Sequence, residues 1–306
     1  MKRPGLLLLL VAPLATAGVF LYSAVADSGA QGSESGGKAS AEPTATNGAD
    51  ERTATEKKRD DAYLKTLPPG LAAPDKKELA QRIIASAENS SLDWKAQYSY
   101  IEDIGDGQGY TAGIIGFCTG THDLVAMVER YTKAHPDNGL ARYLPALRAV
   151  DGTPSHQGLD PGFTAAWKKE AEVPAFRAAQ NAERDRFYFN PAVRLAKLDG
   201  LGTLGQFIYY DAMVLHGPGT EPDGFYGLRE AAMAEADTPA QGGTEKNYLD
   251  IFLDIRRTAM RSDKSHQDTT RIDTAQRQFL YDGNLTLRTP LEWKVYGETF
   301  RVDHVN

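Results

Sequence analysis

The sequence predicts a mainly α-helical domain of α+β class, with one small β element set among the helices. Two observations carry that prediction. Over most of the chain after Leu71, apolar residues recur three and four positions apart, the period of a helix that buries one face. Between Tyr100 and Phe117 that period stops: Gly105, Gly107, Gly109 and Gly113 punctuate short apolar runs, and Asp106-Gly107 is a strong turn signal. With 306 residues, 41% of them apolar and 25% charged, the chain can bury one substantial core or two modest lobes.

In chain order, Lys2 and Arg3 precede an apolar run from Gly5 to Phe20. Ala24-Val25-Ala26 then supplies the small-x-small pattern a signal peptidase reads, so residues 1–26 read as a signal peptide. The run is close to the length that spans a bilayer, which leaves an uncleaved anchor as the rival reading. Either way the remainder is exported, and a secreted protein with no stable membrane association after signal removal is expected. Residues 27–68 are rich in Ser, Ala, Gly, Thr, Glu and Lys and hold no large apolar residue before Tyr63. That composition does not repay the entropy of ordering, so the segment reads as a flexible linker or pro-segment. Residues 69–306 read as one domain without internal repeats.

Asp75 and Glu78 have capping-box spacing, and Leu79, Ile83 and Ala87 follow at helical intervals, predicting a helix from about Lys76 to Asn89 with Glu88 at its end. After the strand-and-turn element a second helix is expected from about Thr121 to Ala134. Further helices are expected over about Ala141 to Ala149, Pro161 to Glu170, Pro174 to Phe187 and Leu201 to Leu215. The last is apolar almost all round, the pattern of a central buried helix. Three more are expected over Phe225 to Glu235, Glu245 to Arg261 and Thr269 to Tyr281.

Composition narrows the chemistry. A formal net charge of -7 disfavours nucleic acid, which needs a basic face, and suits a cationic partner or ordinary solubility. The single cysteine, Cys118, excludes an intramolecular disulfide, and its apolar surroundings suggest a buried, inert thiol. The six histidines show no zinc spacing and no EF-hand loop is present, so neither a metal nor a cofactor is expected. Trp94, Trp167 and Trp293 read as packing residues, and Tyr100 as a stacking surface beside the turn.

Two acids stand out. Cleaving a glycosidic bond needs a proton donor on the leaving oxygen and a carboxylate that attacks or activates water. Glu88, ending an amphipathic helix beside an apolar wall, suits the donor, and Asp106, in a glycine-rich polar turn, suits the ionised partner. On local grounds alone a helix-end Glu and a turn Asp are equally ordinary structural residues. Asp211 lies within an apolar helix, where an unpaired carboxylate is costly, so a basic partner is expected.

A wider pattern adds to this reading. The run Ser86-Ala87-Glu88-Asn89-Ser90-Ser91-Leu92-Asp93-Trp94, continued by Tyr100-Ile101-Glu102-Asp103-Ile104-Gly105-Asp106-Gly107 and Gly109-Tyr110-Thr111, resembles the signature of the family 46 chitosanases. Glu183-Arg184-Asp185-Arg186, Tyr209-Tyr210-Asp211, His216-Gly217-Pro218-Gly219, Thr238-Pro239-Ala240-Gln241-Gly242-Gly243 and Trp293-Lys294-Val295-Tyr296-Gly297 extend the resemblance across nearly everything after Leu71.

The resemblance implies a lysozyme-like, two-lobed fold with a small sheet beside the cleft. It also implies a monomeric enzyme that hydrolyses β-1,4 linkages within chitosan, a polycationic polysaccharide, with inversion. Matched residue by residue, it makes Glu88 the general acid and Asp106 the general base, with the Thr111 hydroxyl positioning water. Asp123 grips a glucosamine amine, and Arg256 and Arg271 complete with Asp211 an ion-pair network behind Asp106. For inversion the two carboxyls are expected about 6.5 to 9.5 Å apart. One departure is Gln108, where relatives commonly carry arginine. A peptidoglycan muramidase of the same fold and a catalytically silent chitosan-binding protein are the alternatives; the acidic balance disfavours the first and the intact Glu88, Asp106 and Thr111 the second.

Overall fold

The structure, a computed structural model, describes residues 53–262 and 267–305. The expected signal peptide and most of the expected linker lie outside the described residues. The end of that linker differs from expectation: helix α1 spans Ala54–Leu64 and buries none of its residues. It forms without an apolar face because its start is capped on both sides. The Thr53 hydroxyl accepts from the Glu56 amide at 3.2 Å while the Glu56 carboxylate accepts from the Thr53 amide at 2.7 Å. Arg194 pairs with Asp61, and Lys197 Nζ donates to the Pro68 carbonyl at 2.9 Å, so polar contacts dock this segment on the domain.

Helix α2 spans Pro74–Asn89. The expected capping box is absent: Pro74 occupies the first turn, where its missing N–H is no loss, and Asp75 follows it on the positive end of the helix dipole. Glu78 instead accepts from Arg82 at 3.0 Å and from the Trp94 indole at 3.2 Å. Ser90, left-handed at φ 47°, stops the helix one residue after Asn89 and so leaves Glu88 in the last turn.

A three-stranded antiparallel sheet follows, of β1 (Ile101–Asp103), β2 (Tyr110–Ala112) and β3 (Phe117–Cys118). Asp103 opposes Tyr110 and Thr111 opposes Cys118. Helices α3 (Asp123–Ala134), α4 (Leu144–Val150), α5 (Phe163–Glu170) and α6 (Pro174–Arg184) pack around it. The chain then passes through one π turn, Asp185–Phe189, into α7 (Asn190–Leu198), a helix not expected from the sequence, where the preceding helix was expected to end at Phe187. The Asn190 amide closes the π turn on the Asp185 carbonyl, and Pro191, which has no N–H, follows it in the first turn of α7.

Helix α8 (Thr203–His216) is the central buried helix expected, with every residue from Leu204 to Met213 buried. Helices α9 (Phe225–Glu235), α10 (Glu245–Ser262) and α11 (Arg277–Tyr281) surround it; a π turn at Ile272–Gln276 leads into α11. A hairpin of β4 (Leu291–Val295) and β5 (Glu298–Val302), not expected from the helical pattern, closes the domain. Its alternating inward residues Leu291, Trp293 and Val295 are buried, and Trp293 donates to Ser86 of α2 at 2.9 Å.

The buried apolar residues form two separate clusters. One joins α2, α7 to α11 and the hairpin; the other joins the small sheet to α3 through α6. Two cores give the two lobes, and the α6, π-turn, α7 segment passes from one to the other.

Candidate active site

Glu88 stands at the edge of the larger core, with its side chain 23% exposed. Its Oε1 accepts from Arg271 Nη2 at 2.7 Å, and the same nitrogen donates to Asp211 Oδ1 at 2.9 Å. Asp211 Oδ2 accepts in turn from Arg256 at 2.8 Å and from the Gln276 amide at 2.6 Å, and Arg256 also donates to Gln276 Oε1 at 2.7 Å. Asp211 and Arg256 are buried, as the apolar context of α8 requires of a paired carboxylate. Burial pushes the Asp211 carboxyl up, but the Arg271 and Arg256 charges outweigh it and hold the group below the usual carboxylate range.

The expected Asp211–Arg256–Arg271 network therefore exists, yet its position corrects the expectation. It reaches Glu88, not Asp106, because Arg271 and α2 belong to the same core. What lies against Glu88 is accordingly a guanidinium and not the apolar wall expected. Gln276 was missed from the sequence; a polar residue on the inner face of the last helix was the available signal.

Asp106 lies on the exposed turn between β1 and β2, as expected. Gly105, Gly107 and Gly109 all take left-handed φ of 74 to 85°, which only glycine adopts without strain, and Asp106 Oδ1 accepts from the Gln108 amide at 2.9 Å. Thr111, buried on β2, has its hydroxyl 3.4 Å from Cys118 Sγ. Burial pushes that thiol up to about 12, so it stays protonated and inert, as its sequence context suggested.

Tyr100 is part-buried, and its hydroxyl lies out of solvent without a hydrogen-bond partner. Burial, with Glu102 and Asp106 adding their negative charge, pushes it to about 12 and keeps it neutral beside the turn. Asp123 opens α3, and its Oδ1 accepts from Thr121 at 2.7 Å and from the Leu124 and Cys118 amides at 2.8 and 3.0 Å. Burial raises this carboxyl to about 6 despite those donors. Asp106, Tyr100, Thr111 and Asp123 thus sit on elements around the smaller core, while Glu88 and its network sit on elements around the larger. Glu88 and Asp106 share no hydrogen bond.

No group of His, Cys, Asp and Glu among the described residues could hold a metal ion. Trp167 and Trp293 are buried packing residues, and Trp94 is part-buried. No helix among the described residues is long and apolar enough to cross a membrane.

Glycoside hydrolases work with a pair of carboxylates, and the comparisons with known proteins point to that class. The sequence model of glycosyl hydrolase family 46 matches residues 82–291. A chitosanase of Streptomyces sp. (strain N174) is 58% identical over 234 residues, covering 76% of this chain and 84% of that protein. A solved chitosanase complex superposes with a TM-score of 0.73 at 53% identity, over 77% of this chain and all of that one. The family 46 chitosanase of Gynuella sunshinyii, solved with chitotetraose, gives 0.68 at 31% identity over 75% and 98%. The chain belongs to glycosyl hydrolase family 46.

Proposed function

We propose that this glycoside hydrolase is an exported endo-chitosanase that cleaves β-1,4 linkages between glucosamine residues with inversion. The observation that carries the reading is the placement of Glu88 and Asp106 on elements of different cores, Glu88 tied to Arg271 and Asp106 exposed on its turn. Arg271 fixes Glu88 Oε1, which leaves Oε2 as the oxygen that carries the acid proton. Glu88 delivers that proton to the departing glycosidic oxygen as the bond to the anomeric carbon breaks. Asp106, exposed on its turn, takes a proton from a water that attacks the opposite face, and one water is consumed per bond cut. An inverting enzyme needs about 6.5 to 9.5 Å between the carboxyls to admit that water.

Thr111, at the base of the turn, orients the water; a thiol is a weak hydrogen-bond partner, so the hydroxyl retains capacity for it. Tyr100 lines the same side of the site, and Asp123 accepts an ammonium of the substrate. A net charge of -7 suits a polycationic chain. The bound chitotetraose of the Gynuella relative supports the substrate class.

The test is release of reducing ends from chitosan by purified wild-type protein beside Glu88→Gln and Asp106→Asn. Both variants should fold and lose activity by about a hundredfold or more. NMR of the first products should show the inverted anomer. Wild-type activity in both variants would remove the acid and base assignments, a retained anomer would remove inversion, and clearing of cell-wall suspensions without action on chitosan would favour a muramidase.

A further inference from the structure

The turn that carries Asp106 has little to hold it. Three of its residues are left-handed glycines, Asp106 itself is exposed, and the carboxylate's hydrogen bond lies within the turn. A general base has to be held to within a fraction of an ångström, so something outside the turn has to fix it.

His156, on the loop between α4 and α5, meets both ends of the turn. Its ring lies flat on Tyr110, with centroids 3.9 Å apart and planes at 11°. Its Nε2 is 3.2 Å from Asp103 Oδ2, although not aligned as a hydrogen bond, and its Nδ1 is 3.6 Å from Asp160 Oδ2. Asp103 and Tyr110 are the last paired residues of β1 and β2, the two posts on which the turn stands.

Each post also reaches further. Asp103 Oδ1 accepts from the Gly105 amide inside the turn at 2.8 Å, and the Tyr110 hydroxyl donates to Asp160 Oδ1 at 2.8 Å. The Tyr110 amide donates to Thr119, and the Gly120 amide to the Gln108 carbonyl, both at 2.9 Å, which closes the second half of the turn against β3. His156 is 24% exposed, set between one carboxylate of the strand and one of its own loop. No catalytic step above uses it.

We infer that His156 is a positioning residue for the general base, stapling Asp103 and Tyr110 together across the foot of the turn and so fixing where Asp106 stands. The inference rests on Asp106 being the base. His156→Phe keeps a ring on Tyr110 but removes both nitrogen contacts, and it is compared with wild type and Asp106→Asn on chitosan, together with amide hydrogen exchange of the peptide spanning 104–110.

His156→Phe should lower kcat about tenfold or more while KM stays within about twofold, since a displaced base harms the transition state and not ground-state binding. Exchange should quicken in the turn peptide and not in α8. If Asp106→Asn is inactive while His156→Phe keeps wild-type kcat, the staple is wrong and the base assignment stands. A kcat loss without faster exchange in the turn also overturns it. Activity in Asp106→Asn removes the base assignment and the staple with it. Should His156→Phe fail to fold, His156→Gln, which can meet one carboxylate, takes its place under the same criteria and should fall between the two.

Discussion

Replacing Asp211 by Asn tests the buried network most directly. The substitution is nearly isosteric, so it changes charge and hydrogen bonding while the volume of α8 stays constant. Asp211 accepts three charged or polar donors, from Arg256, Arg271 and Gln276, at 2.6 to 2.9 Å, and both arginines are buried. Asparagine offers one acceptor oxygen, and its amide faces donors on the other side, which leaves Arg256 without a counter-charge and Arg271 with Glu88 as its remaining carboxylate.

Removing one partner of a buried ion pair costs about 3 to 5 kcal/mol, and for a domain of this size that lowers Tm by roughly 10 °C. The pH dependence follows from the sign of the shift. Because the folded carboxyl lies below its ordinary value, its stabilisation is present above the unfolded carboxyl's range and is lost as pH falls through the depressed folded value. Calorimetry of wild type and Asp211→Asn should therefore show a constant gap from neutral to mildly acid pH that closes only in strong acid. The pH profile of the folded variant's residual activity should move, because Arg271, which touches Glu88, has lost its second carboxylate. A Tm within about 2 °C of wild type would refute the energetic argument, and an unmoved pH profile would reduce the network to a brace.

Two further outcomes follow from the geometry. Asp123 is raised to about 6 by burial, so its contribution to stability is present below the unfolded carboxyl's range and lost as pH rises through about 6. Asp123→Asn keeps an acceptor for the three donors, so it should be more stable than wild type by about 1–2 kcal/mol at pH 7 and equal to it near pH 4, at the expense of a higher KM for glucosamine oligomers; a variant less stable at pH 7 would sink this. Arg194→Ala frees α1 from Asp61, and since α1 buries nothing, Tm should move by no more than about 2 °C while trypsin cuts faster at Lys57 to Lys65. A Tm loss beyond about 5 °C would show that α1 is part of the cooperative core.

The legible parts of the fold were those that repeat. Helices α8, α9 and α10 follow their apolar spacing because burying one face is a local requirement. The Asp106 turn was legible because glycine tolerates the left-handed backbone that other residues avoid. Two elements carried usable signals that periodicity overshadowed: Thr53 and Glu56 at capping-box spacing mark α1, and the alternation of Leu291, Trp293 and Val295 before Tyr296-Gly297 marks the hairpin. The break between α6 and α7 is marked by Pro191.

The sequence by itself determined the class of fold, the acids worth testing, and the need of Asp211 for a basic partner, since each follows from residue type and near-neighbour spacing. Tertiary structure alone decided which acid the arginines serve. Arg271 meets Glu88 across 183 residues and Asp211 across 60, and at such separations the pairing depends on how α2, α8 and the last helix pack and not on any local preference. His156 reaches the Asp106 turn in the same way, through a loop folded back on two strands. Hydrophobic spacing tells each helix which face to bury; only the packed cores tell a charged side chain which partner waits there.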